Sequence, residues 1–199
     1  MAVWSRLLDI IARDGRAAMV TVAATRGSAP RDAGARLIVR PDGGFTGTIG
    51  GGTLEWRAIA IAQAALARHR TAKAELRTFV LGPDMGQCCG GQVDLLFEVL
   101  DRDDREPVSA FARREAAGES FTTAAEIRAD GVRRRVIDRA MPPGTAALAR
   151  GVLREGFGEE RRPLLLFGAG HVGRALVLAL APLPFAVTWI DPRPDAFPA

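Results

Sequence analysis

The sequence predicts an α/β protein: an N-terminal mixed α/β domain followed by an incomplete βαβ unit. Three observations carry this expectation. Helix-spaced and alternating apolar segments interleave through the first hundred residues. A polar break, DRDDREP (101–107), follows them. The segment PLLLFGAGHVGRALVLALAPLPFAVTWIDPR (163–193) then reads as strand, glycine turn, apolar helix and second strand. The expected organisation is a cofactor-binding domain over 1–105, an intervening helix, hairpin and linker over 106–160, and the βαβ unit over 161–199.

Taken in order, Val3, Trp4, Leu7, Leu8 and Ile11 follow helical spacing, and Gly15 stops that helix. MVTVAAT (19–25) reads as a strand entering the loop RGSAPRDAG (26–34). ARLIVR (35–40) and FTGTIG (45–50) flank Pro41-Asp42-Gly43-Gly44, a hairpin turn in which proline presets φ and glycine accepts positive φ. An Ala-rich helix runs from Gly50-Gly51-Gly52 to about Arg70. LRTFVL (76–81) is the next strand. In QVDLLFEVL (92–100), Val93, Leu95, Phe97 and Val99 alternate with Gln92, Asp94 and Glu98, which predicts one buried face. A helix near 108–117, a hairpin turning at Asp130-Gly131 and a polar linker over 151–162 complete the middle.

With 199 residues and 48% hydrophobic content, the chain can bury a sizeable core. Its 27 basic residues are all Arg except Lys73, and Tyr is absent. This bias looks like that of a GC-rich genome rather than a nucleic-acid footprint; Arg133-Arg134-Arg135 is read as a solvated strand face rather than a phosphate patch. Two cysteines make no disulfide framework, so a reducing compartment is expected. Asp9 and Arg13 interrupt any signal-peptide core, and Arg174, Pro182 and Pro184 break the apolar stretch 171–190, so no membrane span is expected and the location is cytoplasmic.

Three constellations could carry chemistry. Gly168, Gly170 and Gly173 form G-x-G-x-x-G between a strand and a helix, and Asp191 ends the second strand 23 residues beyond Gly168. That is a Rossmann-like arrangement: a tight turn, an open backbone for a pyrophosphate, close helix packing, and an acid for a ribose hydroxyl. Two strands and one helix do not complete a dinucleotide site, so a structural role stands beside NAD(P) binding. Second, Thr48-Ile49-Gly50-Gly51-Gly52 opens a helix whose N-terminus offers free amides to an anion, and Arg26 and Arg31 could add bidentate donors. A plain flexible connection with surface arginines is the alternative. Third, Gln87-Cys88-Cys89-Gly90-Gly91 places both cysteines in one glycine-flanked loop. The spacing lacks the pattern of a structural zinc site, which leaves a reactive or soft-metal-binding thiol pair, or two small residues packed at a strand end.

RGSAPRDAGARLIV, GTIGGGTLE, LGPDMGQCCGG and LLLFGAGHVG together resemble the xanthine dehydrogenase accessory protein family, XdhC/CoxI, over about 20–100 and 163–193. The resemblance implies an accessory factor rather than an enzyme. Such a protein binds the molybdenum cofactor (Mo-molybdopterin), holds it while a cysteine desulfurase supplies the sulfido ligand, and inserts it into apo-xanthine dehydrogenase or a related hydroxylase. Molybdenum cofactor biosynthesis proteins are implied as further partners. The cofactor's phosphate would meet Thr48, Gly50 to Gly52, Arg26 and Arg31, with Cys88 or Cys89 near the metal and Gln87 among the cofactor-binding residues. Met85 stands where the family pattern has leucine, and family members continue past the acid ending the second strand. Either the C-terminal domain is truncated, or the open sheet edge there is completed by another subunit, which predicts a homodimer or larger assembly. The rival reading is an NAD(P)-dependent oxidoreductase using Gly168 to Asp191.

Overall fold

The computed structural model describes residues 2–68, 73–82, 90–128, 130–159 and 161–198, which fall into two compact units, Met1–Gly158 and Glu159–Ala199. The first unit is built on a five-stranded antiparallel sheet in the order β3-β2-β1-β5-β4: β1 (Arg16–Arg26), β2 (Arg36–Val39), β3 (Phe45–Gly47), β4 (Ala74–Val80) and β5 (Gln92–Asp101). Strand β1 is buried along most of its length because both faces of the sheet are covered. Ala18, Val20 and Val22 face α2 (Gly52–Ala67), which presents Leu54, Ala58, Ala62 and Leu66 at helical spacing. Ala17 and Met19 point the other way, into a second cluster with Trp4, Leu7 and Ile11 of α1 (Val3–Asp14) and Val108 and Phe111 of α3 (Arg105–Ala116). Gly15, at φ 82°, ends α1 in the left-handed conformation expected of it.

Residues 121–157 form a second antiparallel sheet, β7-β6-β9-β8: β6 (Phe121–Arg128), β7 (Gly131–Ile137), β8 (Ala146–Ala149) and β9 (Val152–Phe157). Ala125 and Leu153 pack on Ala23 and Leu96 of the first sheet. The stretch expected as a polar linker is therefore strand β9 for six of its residues. Leu153, Glu155 and Phe157 are buried, although the polar residues of the segment give it a linker's composition.

Two expectations about polar residues are corrected by this layering. Strand β5 is buried on both faces, not one: Asp94, Leu96 and Glu98 face the second layer. The three-arginine run is not uniformly solvated. Arg133 and Arg135 are exposed, but the Arg134 side chain is only 5% exposed. It donates to Glu98 at 2.8 and 2.9 Å and to Glu155 at 2.7 Å, and Glu155 also accepts from Arg36 at 3.0 Å. The four charges thus form a neutral chain between the sheets. Burial pushes Glu98 above its usual value. Burial acts the same way on Glu155, but two neighbouring guanidinium groups outweigh it and hold that carboxyl below its usual value.

The second unit pairs β10 (Arg162–Phe167) with β11 (Phe185–Ile190) in parallel, and α4 (His171–Leu180) forms the connection between them. This is the βαβ element predicted for 163–193.

Candidate functional site

At one end of the first unit's main sheet, the 26–34 loop meets the glycine turn and Gly90-Gly91. Strand β1 ends at Arg26, opposite Gln92 at the start of β5, and β4 ends at Val80 opposite the same residue. The 26–34 loop leaves β1 here and touches both of its neighbours. Ser28 forms an isolated bridge with Gly90, and a side chain on Gly91 would stand only 2.0 Å from the Ser28 carbonyl oxygen. Leu81 N–H donates to Gly91 O at 2.7 Å, which closes the base of the cysteine loop. On its other side, the 26–34 loop presses Pro30 against Gly50: a Cβ on Gly50 would lie 2.4 Å from Pro30 Cβ and 3.5 Å from Arg31 Cγ. Only glycine fits such a contact, and Gly50 also adopts φ 125°. Gln87, Cys88 and Cys89 lie outside the described residues, including their assignment beside the metal.

The glycine turn already holds an anion. Glu55, one turn into α2, reaches back so that Oε2 accepts from Thr48 Oγ1 at 2.6 Å, Ile49 N–H at 2.9 Å and Gly51 N–H at 3.2 Å. Gly50 N–H donates to Thr48 Oγ1 at 3.1 Å. Burial alone would raise the Glu55 pKa, but these donors outweigh it and lower it. The start of α1 follows the same logic: Glu115 accepts from the amides of Val3, Trp4 and Ser5 at 2.9, 2.8 and 3.0 Å. Neither glutamate stands out in sequence. Glu55 could have been suspected from its place one turn past the glycines, whereas Glu115 is more than a hundred residues from its partners.

The two predicted arginines have different surroundings. Arg26 is largely exposed and pairs with Asp94 at 3.2 Å, while Asp94 also accepts from Thr78 at 2.6 Å. Arg31 has no hydrogen-bond or ion-pair partner among the described residues. It lines a cavity of about 550 Å3 together with Pro30, Thr48 and Gly47 on one side and Gly156 and Glu115 on the other. Thus Arg31, Thr48 and Gly50 come together, Gly51 and Gly52 follow directly at the helix start, and Arg26 stands at the base of the cysteine loop.

In the second unit Gly168, Gly170, Gly173 and Asp191 cluster around one turn. Gly168 has φ 96°, and Gly170 precedes α4 as its N-cap. The space a Cβ would take is open at both. A Cβ on Gly173 would meet Gly168 O at 1.9 Å, so this glycine supplies the close packing predicted for it. Trp189 Nε1 donates to Gly168 O at 2.9 Å. Asp191 is engaged within the chain: Oδ2 accepts from Ala169 N–H at 2.7 Å, and the carboxylate also pairs with Arg193 at 3.0 Å. The Arg193 bond, then the Ala169 amide, holds its pKa far below the usual carboxylate range. His171, the first residue of α4, is exposed. Among the described residues, no three His, Cys, Asp or Glu side chains are grouped to hold a metal ion. Among the described residues, no helix is long and apolar enough to cross a membrane.

Comparison with known proteins agrees with this architecture. The solved structure of a protein described as a xanthine dehydrogenase from Bacillus halodurans superposes with a TM-score of 0.76 at 22% identity. The match covers 97% of this chain and 63% of that one, so this chain spans under two thirds of its length. At that identity the likeness establishes the fold alone. No curated protein matches the sequence. The family model for the XdhC and CoxI family matches residues 10–79, which include β1, the 26–34 loop, the glycine turn and α2. Over that segment, the chain is similar to the XdhC and CoxI family.

Proposed function

We propose that this protein is an accessory factor in xanthine dehydrogenase maturation, binding the molybdenum cofactor and delivering it to the apo-hydroxylase. The observation that carries this reading is the convergence of the 26–34 loop on Gly50 and on Gly90-Gly91. Two segments sharing the family's motifs, distant in sequence, thereby border one region.

The residues present fit a phosphate-bearing ligand in one respect and redirect it in another. Arg31 lines the cavity with a guanidinium that has no partner among the described residues and is suited to bidentate phosphate contact. The turn amides of Ile49 and Gly51 are held by Glu55, so the phosphate contact falls to Arg31, and Thr48 to Gly52 form the wall that keeps Arg31 in place. When bound, the cofactor supplies a dithiolene-held molybdenum; in this reading Cys88 and Cys89 attend it, and Gln87 adjoins them. The chain's own task is to bind, orient and shield, with sulfuration left to a cysteine desulfurase partner. The apolar residues exposed on the second unit, among them Leu165, Phe167, Val172 and Leu178, suit an assembly surface such as a homodimer's.

The test is delivery. Protein purified from cells supplied with molybdate should restore activity to an apo-hydroxylase, and Arg31→Ala should lower that transfer. Failure of the unsubstituted protein to activate any apo-hydroxylase offered would count against the reading.

A further inference from the structure

The main sheet of the first unit ends in two different edges. Strand β3 is three residues long, whereas β4 runs for seven, and among the described residues it pairs only with β5, without a register shift. The second sheet guards its own edges: β8 has four residues, and β7 carries the exposed Arg133 and Arg135. Strand β4 has no such guard. It contains no proline or glycine, and Glu75, Leu76, Arg77, Thr78 and Val80 are all exposed, Leu76 at 40% and Val80 at 68%.

The ladder shows which backbone groups lie open. Lys73 O accepts from Val99 N–H at 2.8 Å, and Leu81 N–H donates to Gly91 O at 2.7 Å. In an antiparallel pair, alternate residues turn their amides and carbonyls to the same side. Glu75, Arg77 and Phe79 therefore bond to β5, and Ala74, Leu76, Thr78 and Val80 present their amides and carbonyls to the open edge. The charges on β4 select what pairs there. Glu75 and Arg77 project from one face, where Arg77 Nε donates to Glu75 Oε1 at 2.6 Å. Laid antiparallel on a second copy with Leu76 opposite Leu76, each Glu75 faces the other copy's Arg77, and the two exposed leucines meet. Centring the pair on Glu75 or on Arg77 sets like charges opposite, and centring it on Thr78 sets Glu75 opposite Leu81. We propose that β4 pairs with β4 of a second copy about Leu76, joining two five-stranded sheets into one of ten strands. This surface belongs to the first unit and is independent of the loops assigned to the molybdenum cofactor.

A strand-edge interface is small, so light scattering of the full chain should show the dimer at about 100 µM and its dissociation on dilution. Over the same range, hydrogen exchange at the Leu76 amide should be about tenfold slower in the concentrated sample. Glu75→Arg and Arg77→Glu each set like charges across the pair and should weaken dimerisation at least about tenfold. Mixing the two variants should restore it as a heterodimer, because an all-basic strand then faces an all-acidic one. A chain that stays monomeric at about 100 µM overturns the proposal. So does a dimer in which Leu76 exchanges as fast as in the monomer, or one that neither charge variant weakens; such a dimer is joined through another surface. Folded variants that fail to recombine when mixed overturn the pairing about Leu76.

Discussion

The hydroxyl of Thr48 donates to the Glu55 carboxylate at 2.6 Å, and the amides of Ile49 and Gly51 donate to the same oxygen. The glycine turn at the start of α2 is thus closed on an internal anion. This arrangement closes the segment that Pro30 and Arg31 lean against, and Arg31, which has no ion-pair partner among the described residues, lines the neighbouring cavity.

Glu55→Gln keeps an acceptor but removes the charge, and should cost about 1 kcal/mol in denaturant unfolding at pH 7. The pH dependence follows from the direction of the shift. Glu55 is lowered in the folded chain from its ordinary 4.5, so its contribution is full above 4.5 and disappears as pH falls through the lower folded value. The stability gap between the native and substituted chains should therefore narrow between pH 5 and pH 3, as measured by equilibrium unfolding.

Gly50→Ala and Gly91→Ala each place a methyl where Pro30 or the Ser28 carbonyl already stands. Each should cost about 2 kcal/mol and lower cofactor content. Gly118→Ala, at φ 72° with open space in front of it, is the control: backbone strain without loop separation. Equal cofactor loss in all three would argue against a role for the loop contacts.

Arg134→Met leaves Glu98 and Glu155 buried with a missing partner and should destabilise the first unit by about 3–5 kcal/mol. Arg133→Met, one residue away on the exposed face, should change stability by less than about 0.5 kcal/mol. Chemical denaturation of the two variants side by side checks the contrast.

Asp191→Ala removes the acceptor of the Ala169 amide in the glycine turn of the second unit. Hydrogen exchange at Ala169 should quicken about tenfold. Exchange unchanged at Ala169 would mean that Asp191 does not hold the turn.

Local chemistry was the legible part of this chain. Gly15, the Pro41–Gly44 turn and the apolar spacing of α1 and α2 announce themselves within a few residues, and so does the strand–turn–helix of Gly168 to Gly173. What escaped notice depends on partners distant in sequence. Arg134 looks like its neighbours until β5 supplies Glu98 from 36 residues away. Strand β9 looks like a linker because Glu155 sits inside it, and Glu155 is buried only through Arg36 and Arg134. The glycine turn is recognisable as an anion seat, and only the place of Glu55 one turn past the glycines hints that the chain supplies the anion itself.

The most direct test measures pterin and molybdenum in the same purified sample. Protein expressed with ample molybdate should release an oxidised, fluorescent pterin in stoichiometric amount, with molybdenum by elemental mass spectrometry in proportion, and Arg31→Ala should reduce both. Folded protein carrying neither pterin nor molybdenum would contradict the account.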